Sequence, residues 1–139
     1  MGTWDIGHFD NDTAADFGGG LDDAPSGKRE ALLRDALTAV TGTGREEYLD
    51  SDEAVVAVAA AALIAAQCPG GEPVTTPYGP DEPVPPLAPE LRGLAVSALD
   101  RVVGVRSELP ELWAEAGAAE QWAAGIAGLR EVLARAAGV

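Results

Sequence analysis

The chain has 139 residues, enough for one domain whose core hides about two thirds of the surface that the unfolded chain exposes. It carries 23 acidic against 9 basic residues, a net charge of −14, and has no Lys/Arg cluster to neutralise a phosphate backbone. That balance argues against nucleic acid and anionic membrane surfaces as partners, and leaves a basic protein or a cation.

Cys68 is the only cysteine, so an intrachain disulfide and a Cys-based zinc site are both excluded. The N-terminus shows no basic region followed by an apolar run, and Ile6 stands where a myristoylation motif needs Ser or Thr. The expected location is the cytoplasm. A single Lys (Lys28) beside abundant Ala, Gly, Asp and Arg reads as the bias of a high-GC or halophilic prokaryotic genome.

Residues 1–17, MGTWDIGHFDNDTAADF, gather Trp4, Phe9 and Phe17 among glycines and aspartates. Asn11 is a suitable N-cap, with Asp12 against the positive end of a first helix. Ala14, Phe17, Gly18 and Leu21 fall on one face at helical spacing. Three successive glycines, Gly18 to Gly20, each cost up to about 1 kcal/mol inside a helix, so this helix is expected to be short or to stop near Gly18. Asp12 and Asp16 stack four apart and repel by roughly a few tenths of a kcal/mol, which calls for a basic side chain or a bound cation.

The run Met1-Gly2-Thr3-Trp4, Gly7, Phe9, Asn11-Asp12, Ala14 and Asp16-Phe17 resembles the N-terminal signature of the bacterial domain-of-unknown-function family 4259, M-G-x-W-G-x-G-x-F-x-N-D-x-A-x-D-W. Asp5 departs from a glycine of that pattern and Phe17 replaces a tryptophan. The resemblance implies a small, largely helical protein and carries over no catalytic residue and no cofactor.

A second helix is predicted from Ser26 to about Val40, ended by Gly42 and Gly44. Leu33, Leu37 and Val40 form its apolar stripe, widened by Leu32 and Ala36, and Glu30 with Arg34 makes an i, i+4 pair outside. After a short connection at Arg45 to Leu49, whose Tyr48 and Leu49 are placed to staple the next entry, comes the stretch Asp50 to Cys68. It is uncharged from Ala54 to Ala66 and holds eight alanines there, which favours a helix over the strand that Val55, Val56 and Val58 alone would suit. Being apolar on every side, it must be surrounded by protein. Its uncharged run is about 20 Å long, too short for the ~30 Å core of a bilayer. Asp50 and Glu53 have the spacing of a capping box, and Pro69, Gly70 and Gly71 end the helix.

From Cys68 to Pro89 the chain holds eight of its ten prolines. Pro77, Pro80, Pro83, Pro86 and Pro89 recur every third residue, the repeat of a polyproline II helix, with Val84 and Leu87 on a second edge. Three readings stand: an extended strap laid over helix surface, a peptide presented through Pro80, Pro83 and Pro86 to an aromatic groove of a partner, or disorder. Pro89 then opens a fourth helix with the stripe Leu91, Leu94, Ala95, Ala98, Leu99 and Val102, leaving Arg92, Asp100 and Arg101 on the outer face or its borders. A short helix follows from Ser107 and Pro110 with Leu112 and Trp113. The last helix, about Ala118 to Ala136, buries Trp122, Ile126, Leu129 and Leu133 and pairs Glu131 with Arg135 outside. The expected fold is all-α: a single-domain bundle of five or six helices over residues 1–139, around a buried Ala/Val-rich central helix, with a Pro-rich extended strap.

Chemistry has few candidates. His8 with Asp10, Asp12 and Asp16 could form a His-plus-carboxylate cation site, although Ala14 and Leu21 stand where a calcium loop needs oxygen ligands. The alternative role of this signature is structural, with carboxylates capping helix ends and Trp4 and Phe9 plugging the bundle. A Cys68–His8 pair has no support in the spacing, and Cys68 reads as a small apolar residue. No phosphate-binding glycine motif is present. Three functions remain: a non-enzymatic module that binds a basic protein, for example as a neutraliser or immunity-type partner; a cation-dependent enzyme or metal binder using the N-terminal carboxylates; and a self-associating structural protein using exposed Trp113 or Trp122.

Overall fold

Eleven of the fifteen residues of one helix are buried, and that helix sets the architecture. The computed structural model of the protein describes residues 12–44, 46–71, 80 and 86–138. In order they form α1 (Asp12–Asp23), α2 (Ser26–Thr41), α3 (Ser51–Ala65), α4 (Glu90–Val102), α5 (Glu108–Glu115) and α6 (Ala119–Ala137). The all-α bundle around an Ala/Val-rich centre is what the sequence led us to expect. The apolar run of α3 packs against all five other helices. Alanine makes this feasible, because its methyl lets neighbouring backbones approach from several directions while it keeps the highest helix propensity. Among the described residues no helix is long and apolar enough to cross a membrane.

The stripes of the surrounding helices close on α3 as their periodicity requires. Leu33, Ala36, Leu37 and Val40 of α2 are buried, as are Leu91, Ala95, Ala98, Leu99 and Val102 of α4 and Trp122, Ile126, Leu129 and Leu133 of α6. Together with Leu21, Leu49 and Leu109 they form one apolar cluster. Full burial of a leucine side chain contributes about 1.5–3 kcal/mol, so this cluster is the main source of stability.

Three expectations need correction. The first helix does not stop near Gly18 but continues to Asp23. Ala14, Gly18 and Leu21 are buried, and the packing of α1 on α3 offsets the poor propensity of Gly19 and Gly20. The capping box at α3 is not formed, since Asp50 makes no side-chain cap bond. In its place Glu108 Oε1, from the start of α5, accepts the Ser51 N–H at 2.8 Å. Trp122 cannot serve an exposed self-associating face: it lies one turn from Ile126 on the core side of α6 and is buried. The short connection before α3 also carries a contact that its sequence did not mark. Leu49 pairs with Ser107 in an isolated parallel bridge, its N–H donating to Arg106 O at 2.8 Å and its carbonyl accepting the Glu108 N–H at 2.9 Å.

The far end of the proline-rich segment is tied down. Glu30 Oε1 accepts the Ala88 N–H at 2.8 Å and Gln67 Oε1 accepts the Leu87 N–H at 3.0 Å, while Leu87 packs against the core. Arg34, besides facing Glu30, donates to Glu90 Oε1 at 2.8 Å and so joins α2 to the start of α4. The strap expected between Cys68 and Pro89 falls for the rest, residues 72–79 and 81–85, outside the described residues.

Candidate functional site

The residues singled out in the N-terminal signature are only partly described. Trp4, His8, Phe9, Asp10 and Asn11 lie outside the described residues. Asp12 and Asp16 are both exposed on α1, and Phe17 is half-buried against the core. Among the described residues no three His, Cys, Asp or Glu side chains come together as a metal-holding group. Of the strap prolines, Pro80 is half-buried and Pro86 exposed, and Pro83 lies outside the described residues. Cys68 is buried, its Sγ 3.4 Å from Ile64 O.

The most organised surface lies elsewhere, where the α2–α3 and α4–α5 connections run side by side. Arg101, in the last turn of α4, is its organiser. Its Nε donates to Thr43 O at 3.1 Å, Nη1 to Val105 O at 2.9 Å, and Nη2 to Gly44 O at 3.2 Å, Glu47 O at 2.7 Å and Arg106 O at 3.4 Å. A guanidinium suits this position because its rigid fork of five N–H groups can satisfy several carbonyls at once. Arg106 adds a bond from Nη1 to Glu46 O at 2.6 Å and takes a positive φ of 52°. With the Leu49–Ser107 bridge these contacts lock two loops into one platform.

Beside the platform lies an open cleft of about 600 Å³, lined chiefly by Thr41, Thr43, Ser97, Asp100, Arg101 and Val105. Its charged groups are already engaged: Asp100 receives Arg130 Nε at 2.6 Å and Nη2 at 3.2 Å, and Arg101 is turned into the loop carbonyls. What the cleft presents to a ligand is therefore hydroxyl and aliphatic surface, with no nucleophile held by a base among the described residues. Next to the Leu49 bridge, Tyr48 is half exposed and donates its hydroxyl to Glu111 Oε1 at 2.8 Å. That hydrogen bond, followed by partial loss of solvation and by the charges of Glu111, Glu108 and Asp50, pushes the Tyr48 pKa up to about 12.

Sequence reasoning placed Arg101 on the outer face of α4 or its borders and did not see its role. A signal existed, since Leu94, Ala98 and Arg101 step by 4 and 3 and put the arginine in line with half-buried and buried positions at a helix C-terminus, where a cation is favoured. Arg29 was missed in the same way. It sits four residues before Leu33 on the buried stripe of α2, is itself buried, and donates Nε to Leu21 O at 2.8 Å. Glu108 and Glu111 left no such mark, because their partners are about sixty residues away in sequence.

No curated protein and no solved structure matches the chain. Residues 2–125 match the family described as Domain of unknown function (DUF4259), a span that runs from the N-terminal signature through α1 to α5 and into α6. The chain belongs to the DUF4259 family.

Proposed function

We propose that this acidic helical domain is a non-enzymatic binding module whose partner is a basic protein, with a neutraliser or immunity-type role as the specific form. The observation that carries this reading is how the few cations are used. Seven of the nine basic residues, Arg29, Arg34, Arg92, Arg101, Arg106, Arg130 and Arg135, donate hydrogen bonds within the fold. Arg29, Arg92, Arg101 and Arg106 do so to main-chain carbonyls, which commits these cations to anchoring loops and helix ends. The carboxylates dominate what is left outside, and opposite charge gives fast, steered association with a basic protein. Calorimetric titration with basic proteins of pI above about 9, at about 0.15 M salt, tests the reading. It expects at least one complex whose affinity falls as salt rises, and fails if none forms.

A second reading, cation binding, rests on Asp12 and Asp16, exposed and four residues apart on α1. A melting temperature that Ca²⁺, Mg²⁺, Mn²⁺ and Zn²⁺ all leave unchanged removes it, because a ligand at a hundred times its dissociation constant stabilises by about 2.7 kcal/mol.

A further inference from the structure

The exposed large apolar side chains of the described residues are not scattered. Tyr48 (50 % exposed), Val103 (45 %), Val105 (68 %) and Leu112 (37 %) all belong to the end of the bundle where the two connections meet the start of α5. The elements at the same end carry exposed carboxylates, Glu46, Glu47 and Asp50 before α3 and Glu111 and Glu115 on α5. Of the described cations there, Arg101 is directed inward onto loop carbonyls and Arg106 bonds Glu46 O. The Arg101 contacts and the Leu49–Ser107 bridge hold the surface in one shape, which lowers the ordering cost of binding.

We propose that this end of the bundle is a docking surface for a basic amphipathic segment of a partner protein, with Tyr48, Val105 and Leu112 receiving its apolar side chains and Glu47 and Glu111 its Lys or Arg. The assignment rests on the basic-partner function above and gives it a place. Apolar contacts at the centre with charges at the rim are the usual division of labour in an interface. Charge selects the occupant. A second copy of this chain carries the same −14 and would set like charges against each other, whereas a segment rich in Lys or Arg meets the rim with the opposite sign.

The test uses the whole chain and an amphipathic Lys/Leu peptide of about 18 residues, roughly five helical turns, titrated at about 0.15 M salt and followed by backbone amide NMR shifts. Shifts are expected to concentrate in residues 46–50 and 103–112. The double variant Val105→Ser, Leu112→Ser should weaken binding by about tenfold or more, equivalent to a factor of ten in Kd. Both side chains are exposed, so its melting temperature should stay near that of the parent. The control Asp23→Asn, Asp35→Asn removes two exposed carboxylates on α1 and α2 and should change Kd by less than about twofold. Binding that the Val105/Leu112 variant leaves intact, or shifts centred elsewhere, overturns the surface and leaves the basic-partner reading standing. A peptide-independent dimer in sedimentation that the same variant dissociates makes a second copy the occupant and also overturns it. No peptide binding at all overturns both.

Discussion

The Glu108 carboxylate, at the start of α5, accepts the backbone N–H of Ser51, 57 positions earlier in the chain, and so caps α3. The first turn of α3 thus depends on α5 being docked. Glu108→Ala is expected to cost about 1 kcal/mol, the usual worth of an N-cap, while Glu53→Ala stays within about 0.5 kcal/mol. Urea unfolding of the two variants separates these outcomes, and equal losses would return the cap to Glu53.

Arg101→Met should lose about 2 to 3 kcal/mol, because several carbonyls lose a charged donor at once. Arg101→Lys should recover only part of this, since an ammonium lacks the planar fork. Amide exchange should locate the damage in residues 43–49 and 103–107, with the centre of α3 still protected.

Gly71 permits the tight turn after α3. A Cβ there would lie 1.7 Å from Ala65 O, a main-chain atom that cannot move aside cheaply. Gly71→Ala is expected to destabilise by about 1 to 3 kcal/mol, like other overpacked sites, measured as a lowered urea midpoint. The neighbouring Gly70, at φ +83° with open space around it, should cost less, about 1 kcal/mol on replacement by Ala.

Tyr48 ionises at about 12, above its ordinary 10.0, because its hydroxyl is hydrogen-bonded to Glu111 and faces further negative charge. The folded protein holds this proton more tightly than the unfolded chain does. The stabilisation is therefore fully present below pH 10 and is lost as pH rises through about 12. Ultraviolet titration of phenolate should show a late transition that Tyr48→Phe removes and Glu111→Gln moves back toward 10.

Ser107 stands at the N-cap of α5 yet makes no side-chain cap bond, and its Oγ is buried without a hydrogen-bond partner among the described residues. A cap serine normally contributes about 1 kcal/mol, whereas here Ser107→Ala should be neutral or slightly stabilising, within about 0.5 kcal/mol. A loss above about 1 kcal/mol in urea unfolding would show that the hydroxyl has a partner.

Local patterns along the chain were enough to read the helical class, the central position of the Ala/Val-rich stretch and the buried stripes around it. These follow from local rules: periodicity is written in neighbours three and four residues apart, and an uncharged run must leave water. Even the buried Arg29 and the border residue Arg101 could have been picked out from their register on α2 and α4. Where local rules failed, a distant partner had intervened. Propensity ends α1 at Gly18, but packing on α3 carries it to Asp23. A capping box matches Asp50 and Glu53, but the bond goes to Glu108. The platform of Arg101, Tyr48 and the Leu49–Ser107 bridge exists only because the α2–α3 and α4–α5 connections meet in space, roughly sixty residues apart along the chain. Tertiary structure decided the candidate surface because its hydrogen bonds and charges join residues that no periodicity relates.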